Sequence, residues 1–393
     1  MRPASSFLRV NALFALLGVA EAAIVPFVPL LLRNRGMDAQ GLGAVLALMS
    51  AVAFTAGPLW GLLADRLLGY ERTLMLSLFA TTGAALVFAV THRVAAIAVA
   101  GSLLWATRSA IASMADSMAL ARLGPERRGG YGGIRLWLSA GFAIGAMVFG
   151  ALVETVGLHL VAPLYAGLCA LNATGFALVL RGRPRRSRVP AVHGPRAPLT
   201  ALPALAVFLL ALLLASAAYS ASYSFIAIRI AALGGGALFV GVSAGLQAAA
   251  EVPSMAWTRR AARRLRPSTV FAAGAAAYAV VYVAWALVDA PAAVAAIRLL
   301  AGVGFGLTSV GTVLLIDEVV PVRLRATGQA ASKAVAFGLA PVAGSLGGGL
   351  VYGYLGPTTF FVACTGLTLA AAAVTQLLGR SRPPVEQTKL EHA

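Results

Sequence analysis

Apolar residues along this chain run in long, nearly unbroken stretches, each ended by a short cluster of charged, glycine or proline residues. A helix needs about 20 mostly apolar residues to cross the hydrocarbon core of a bilayer. Twelve stretches meet that length: roughly 8–32, 41–64, 73–91, 94–121, 131–156 and 159–180, then 201–231, 236–258, 269–288, 291–316, 325–353 and 358–379. Strands of a membrane barrel would be near ten residues and would alternate apolar with polar positions, which these runs do not. The pattern predicts an all-α polytopic membrane protein with twelve transmembrane helices. Several runs exceed the minimum, which tilt or kinking accommodates. The first run is too long for the apolar region of a signal peptide and holds Glu21 at its middle, so a retained helix is expected there.

Composition agrees. Hydrophobic residues make up 60% of the 393 and charged residues 11%, so the chain lacks the polar surface to cover itself in water. The net charge of +18 would point to nucleic acid in a soluble protein, but its placement explains it otherwise. With the amino terminus taken as cytoplasmic, loops on that side carry Arg66, Arg72, Arg122, Arg127, Arg128, the run from Arg181 to Arg196, Arg259 to Arg266, Arg323 and Arg325. The other side carries Arg33, Arg35, Arg93 and, at a helix end, Arg229. This bias anchors topology and predicts both termini on the cytoplasmic face of a bacterial cytoplasmic membrane. Cys169 and Cys364 lie inside apolar runs and the four histidines are scattered, so neither a disulfide framework nor a metal site is expected. No phosphate-binding loop of the Walker type occurs, and no cofactor is expected.

The longest polar connection, about 181–199, contains Pro184, Pro190, Pro195 and Pro198 and divides six spans from six. It is read as a basic linker between an amino-terminal bundle, 1–180, and a carboxy-terminal bundle, 200–380. A tail follows, 381–393, whose last residues, Lys389-Leu-Glu-His-Ala393, resemble a cloning scar. The halves echo each other: Gly150 with Gly349 and Gly157 with Gly356 share one offset of 199 residues, which also carries Arg135 next to Lys333. Parallel six-helix repeats with a site between them near the bilayer midplane are a secondary-transporter design.

Gly61-Leu-Leu-Ala-Asp65-Arg66, between the second and third spans, resembles the Gly-x-x-x-Asp-Arg signature of the major facilitator superfamily. That resemblance implies two pseudo-symmetric six-helix bundles that alternate access to a central site, with Gly61, Asp65 and Arg66 in gating. More narrowly, Asp116-Ser-Met-Ala, Tyr131-Gly-Gly-Ile-Arg135-Leu-Trp137, Gly141-Phe142 and Ala250-Glu251-Val-Pro253 look like the phenylpropionate permease and oligosaccharide:proton symporter branch. That likeness implies substrate binding at Asp116 and Arg135 and coupling at Glu251. The tenth-span His/Glu pair of the sugar symporters is missing, and Arg298 stands in an apolar, glycine-rich stretch instead. Glu21 in the first span and Arg108 in the fourth look more like drug:proton antiporters, yet the fifth-span glycine-proline motif of that group is absent from Gly145-Ala-Met-Val.

Charges at membrane depth cost of order 2.5–3.5 kcal/mol each on insertion scales, so they survive by pairing or by lining a wet cavity. Seven lie deep enough: Glu21, Arg108, Asp116, Arg135, Glu251, Arg298 and Lys333. Full pairing of three acids with four bases leaves one positive charge. Asp116 and Arg135 match in depth, as a structural clamp or as a substrate-binding pair. Glu21 is level with Arg108, while Glu251 has Arg298 and Lys333 as possible partners. Burial favours a neutral carboxylic acid and a guanidinium favours the carboxylate, so Glu21 and Glu251 are candidates for proton coupling. Arg108, Asp116, Arg135, Arg298, Lys333 and the Tyr219–Tyr223 pair, one helical turn apart, are candidates for substrate binding. Trp105, Trp137, Tyr278 and Tyr282 are further possible lining. The expected activity is proton-coupled transport of a small polar or anionic solute, a possible aromatic carboxylate, by a monomer. Drug:proton antiport is the alternative, and sodium coupling stays open. Neither an enzymatic constellation nor a nucleic-acid partner is expected.

Overall fold

A computed structural model describes residues 3–123, 131–179 and 203–380. The expected linker, 181–199, the tail, 381–393, and the loop arginines Arg127 and Arg128 lie outside the described residues. Ten segments are long and apolar enough to cross a membrane. The longest of them, Thr327–Gly379, turns at Gly356, whose φ of 81° is non-helical, and so makes two crossings. The helix Ala237–Ala261 spans 25 residues but is too polar to be counted with the ten. Twelve crossings result, as the apolar pattern predicts, and the described residues form no strand.

The helices are α1 (Pro3–Ile24), α2 (Val28–Asn34), α3 (Ala39–Leu63), α4 (Tyr70–Val90), α5 (Val94–Arg108), α6 (Ile111–Leu123), α7 (Tyr131–Val156) and α8 (Val161–Val179) in the first half. The second half holds α9 (Pro203–Ala232), α10 (Ala237–Ala261), α11 (Pro267–Leu287), α12 (Pro291–Val319), α13 (Arg325–Ala334) and α14 (Ala340–Arg380). Three expected single helices are therefore interrupted. The first breaks between Ile24 and Val28, where Pro26 and Pro29 remove backbone donors. The fourth breaks after Arg108, where the Ser109 hydroxyl bonds the Ala106 carbonyl at 2.8 Å and competes with the helical ladder. The eleventh is α13 joined to α14 through a π-helical turn, Val335–Leu339; a matching turn, Ala64–Leu68, follows α3.

Within the first half α1 packs on α7 and α8, and α4 on α5 and α8; within the second, α9 and α11 pack on α14, and α12 on α10 and α11. The halves meet through α7 against α10 and α3 against α14. Glycine governs both crossings. A methyl group at Gly241 would collide with the Ala146 carbonyl and the Gly150 backbone, and one at Gly43 would lie 2.5 Å from the Ser345 carbonyl oxygen. Lipid supplies no hydrophobic drive between helices, so such close backbone packing is what holds them. These contacts cluster away from the arginine-bearing loops, hereafter the basic end. There the Glu154 carboxylate of α7 accepts the Leu238 backbone N–H of α10 at 3.1 Å, a favourable anion position at a helix N-terminus. Farther toward the basic end α3 meets the other half through the Phe54 ring against Gly338.

Gly241→Val should force these backbones apart. A Leu238→Cys reporter should then react several-fold faster with a membrane-impermeant maleimide, the native cysteines being buried. Equal rates in the two backgrounds would show that the crossing is not tight.

Candidate functional site

Two charge clusters stand at mid-membrane depth, one in each half. In the first, the Arg108 guanidinium at the end of α5 is ion-paired and hydrogen-bonded with Glu21 of α1. Arg108 also lies 4.8 Å over the Trp105 ring, and its Nε has no hydrogen-bond partner. Tyr165 of α8 packs within electrostatic reach of the pair. The pair is not sealed, since side-chain exposure is 24% for Glu21 and 20% for Arg108.

In the second cluster Arg298 of α12 is 2% exposed, a buried cation that requires compensation. Its Nε donates to Gln247 Oε1 at 2.7 Å and its Nη1 to Ser243 Oγ at 3.2 Å. The guanidinium lies 4.4 Å over the Tyr223 ring, while Nη2 is unpartnered. Gln247 Nε2 in turn donates to Glu251 Oε1 at 2.9 Å and to Tyr219 Oη at 3.0 Å. Gln247 thus relays between base and acid, which do not touch. Ser243, Gln247 and Glu251 fall four residues apart and share one face of α10. That polar stripe is the reason α10 is the least apolar of the crossings.

The clusters correspond by span. In the first half an arginine of the fourth crossing meets a carboxylate of the first; in the second an arginine of the fourth crossing meets the Tyr223 ring of the first. Tyr223 lies within electrostatic range of both clusters, of Arg298 and Glu251 in its own half and of Arg108 and Glu21 in the other. Tyr219 and Tyr223 share a face as their spacing predicts, with ring centroids 6.0 Å apart, and Tyr219 packs on Tyr278 and Phe305 at 5.5 Å each.

The remaining candidates stand apart. Arg135 Nη1 bonds both Asp116 carboxylate oxygens at 2.9 Å, with side chains 45% and 29% exposed. The pair predicted from matching depth therefore forms, near the basic end and away from the central clusters. Lys333 is not brought to Glu251, against the expectation that it could pair with either acid. It is exposed on α13, beside a cavity of the second half, and has no acidic partner among the described residues. Asp65 accepts the Tyr70 hydroxyl at 3.0 Å, meeting the next helix through a side chain; Arg66 is exposed and Gly61 has open space at its Cα. Sequence reasoning missed Gln247, Ser243 and Tyr165. The first two carried a signal, their spacing from Glu251; Tyr165, a lone tyrosine in an apolar run, carried none.

An all-α fold of membrane-spanning helices with paired charges at the centre of two packed helix groups defines the class, a polytopic membrane protein. The chain matches the MFS_1 like family over residues 11–363 and belongs to it. A maltose permease of Geobacillus stearothermophilus is 29% identical over 248 residues, 62% of this chain, and the chain spans 61% of that relative's length. Among solved structures, the nucleoside transporter NupG superposes with a TM-score of 0.83 at 14% identity, covering 95% of this chain and 99% of that one. The POT family transporter PepTSo superposes with a TM-score of 0.71 at 12% identity, covering 97% and 99%. At these identities the superpositions speak for the fold.

Gln247→Leu should leave Arg298 Nε and a Glu251 oxygen unpartnered and lower unfolding stability by about 1–3 kcal/mol. Gln247→Glu should restore much of the loss by pairing directly with Arg298. Thermal or denaturant unfolding in one detergent reads both, and equal stability of Gln247→Leu and the parent would remove the relay.

Proposed function

We propose that the protein is a proton-coupled secondary carrier that moves a small polar or anionic solute between its halves by alternating access. The observation that carries this reading is one acid–base cluster at mid-membrane depth in each half, direct at Glu21–Arg108 and relayed through Gln247 at Glu251–Arg298. Glu21 and Glu251 take up and release protons. Arg108 and Arg298 hold the solute, and Tyr219 and Tyr223 form the wall. A solute acceptor arriving at Arg298 competes with Gln247 Oε1, which frees Glu251 to change its protonation. Binding thereby couples to the proton without contact between substrate and acid.

Residues 1–180 and 200–380 act as the two moving bodies of a monomer in a cytoplasmic membrane, with both termini and the basic end cytoplasmic. The pair Asp116–Arg135, and Gly61, Asp65 and Arg66 with Tyr70, make and break contacts at that end as the halves rock. Likeness to a maltose permease supports uptake of a polar solute. A second reading, drug:proton antiport, is favoured by one observation, the ion pair between the first and fourth crossings.

In proteoliposomes, Glu21→Gln or Glu251→Gln should abolish accumulation driven by a pH gradient while leaving solute exchange within about twofold of the parent. Full accumulation by both variants would remove coupling through these acids. A broad rise in drug tolerance on expression in a pump-deficient host would instead support antiport.

A further inference from the structure

A cavity of about 280 Å³ lies within the second half, between α9, α11, α12 and the α13–α14 segment. It adjoins the Gln247 network through Tyr219 and Phe305 but extends toward the basic end, past Phe271 and Val313 to Lys333. Its chemistry differs from that of the central clusters. There each guanidinium has a carboxylate paired or relayed to it; here the cavity wall contains a cation and no acid. Lys333 has no acidic partner among the described residues. Tyr278 is 3% exposed, lines the cavity, and its hydroxyl has no hydrogen-bond partner. The ring of Tyr278 walls the cavity while its hydroxyl is turned into the packed interior. The rest of the wall combines aromatic and aliphatic side chains with hydroxyls such as those of Ser216, Thr308 and Thr312.

We propose that this cavity is a binding site for a small amphiphilic carboxylate, with its acidic group on Lys333 and its apolar body against Phe271 and Phe305. An uncompensated ammonium selects an anion and an acid-free wall gives a cation no counter-charge, which separates this site from one built for cationic compounds. The volume is just below the roughly 300–1,000 Å³ of pockets for drug-sized ligands, so one short chain or a fused ring fits where a two-chain phospholipid does not. Such a carboxylate arrives either from water or from the bilayer. Neither Glu21 nor Glu251 is involved, so the site stands or falls apart from the coupling reading.

The test is equilibrium binding to the full-length protein in neutral phosphatidylcholine nanodiscs. The probes are 2-naphthoate for the aqueous source and decanoate for the bilayer source, each against its neutral alcohol, 2-naphthalenemethanol or decanol. At least one carboxylate should bind tenfold or more tightly than its alcohol; whichever binds identifies the source. Lys333→Gln should lose that preference and Lys333→Arg should keep it, with gel filtration and melting showing each variant folded. Glu251→Gln should bind as the parent does, so transport failure in that variant leaves this result intact. Equal affinity for acid and alcohol, binding unaffected by Lys333→Gln, or binding of neither carboxylate would overturn the assignment.

Discussion

A guanidinium at the centre of a bilayer has no water to solvate it, and hydrocarbon offers no acceptor. Every feature of the centre of this molecule follows from meeting that requirement twice. In the first half Arg108 meets Glu21 directly. In the second, Arg298 is almost fully enclosed and is met by an amide, a hydroxyl and an aromatic face, with its acid one amide farther away. A direct pair in low dielectric is hard to open, whereas a relay through a neutral amide is more easily rearranged. The asymmetry leaves the two halves with arginines held in different ways.

The packing serves the same end. Glycine at the crossings of α7 with α10 and of α3 with α14 lets the halves touch backbone to backbone away from the basic end. Toward the basic end the contact passes to side chains, Phe54 against Gly338. Small residues and one carboxylate on a helix end make these crossings, within a hydrophobic core that runs through both halves. The helix breaks fall where the chemistry is: α5 ends at Arg108, and the π-helical turn of the eleventh crossing follows Lys333 directly. Such interruptions free backbone groups and redirect side chains, and they recur at functional sites.

Much of this was legible beforehand, for identifiable reasons. Apolar run length records the bilayer thickness directly, which is why twelve crossings could be read off the chain although α10 is too polar to qualify by hydropathy. Matching depth predicts the Asp116–Arg135 and Glu21–Arg108 pairs, because depth follows from position along a span. Depth says nothing about azimuth. Lys333 could be assigned to Glu251 on depth alone, yet it points to a different cavity, and Gln247, a neutral residue, attracts no notice until Arg298 and Glu251 are seen on either side of it.

The chain by itself determined the class of solvent it lives in, the number of crossings and the list of charges that had to be compensated, because each of these is a matter of local composition and spacing along one dimension. Only the tertiary structure decided which helix face meets which, and hence that one arginine is paired and the other relayed, that Tyr223 lies within range of both clusters, and that Lys333 is left over. Those outcomes depend on the rotation of each helix about its axis. In a bilayer that rotation is set by packing of small residues and by hydrogen bonds among distant segments, none of which any single stretch of sequence contains.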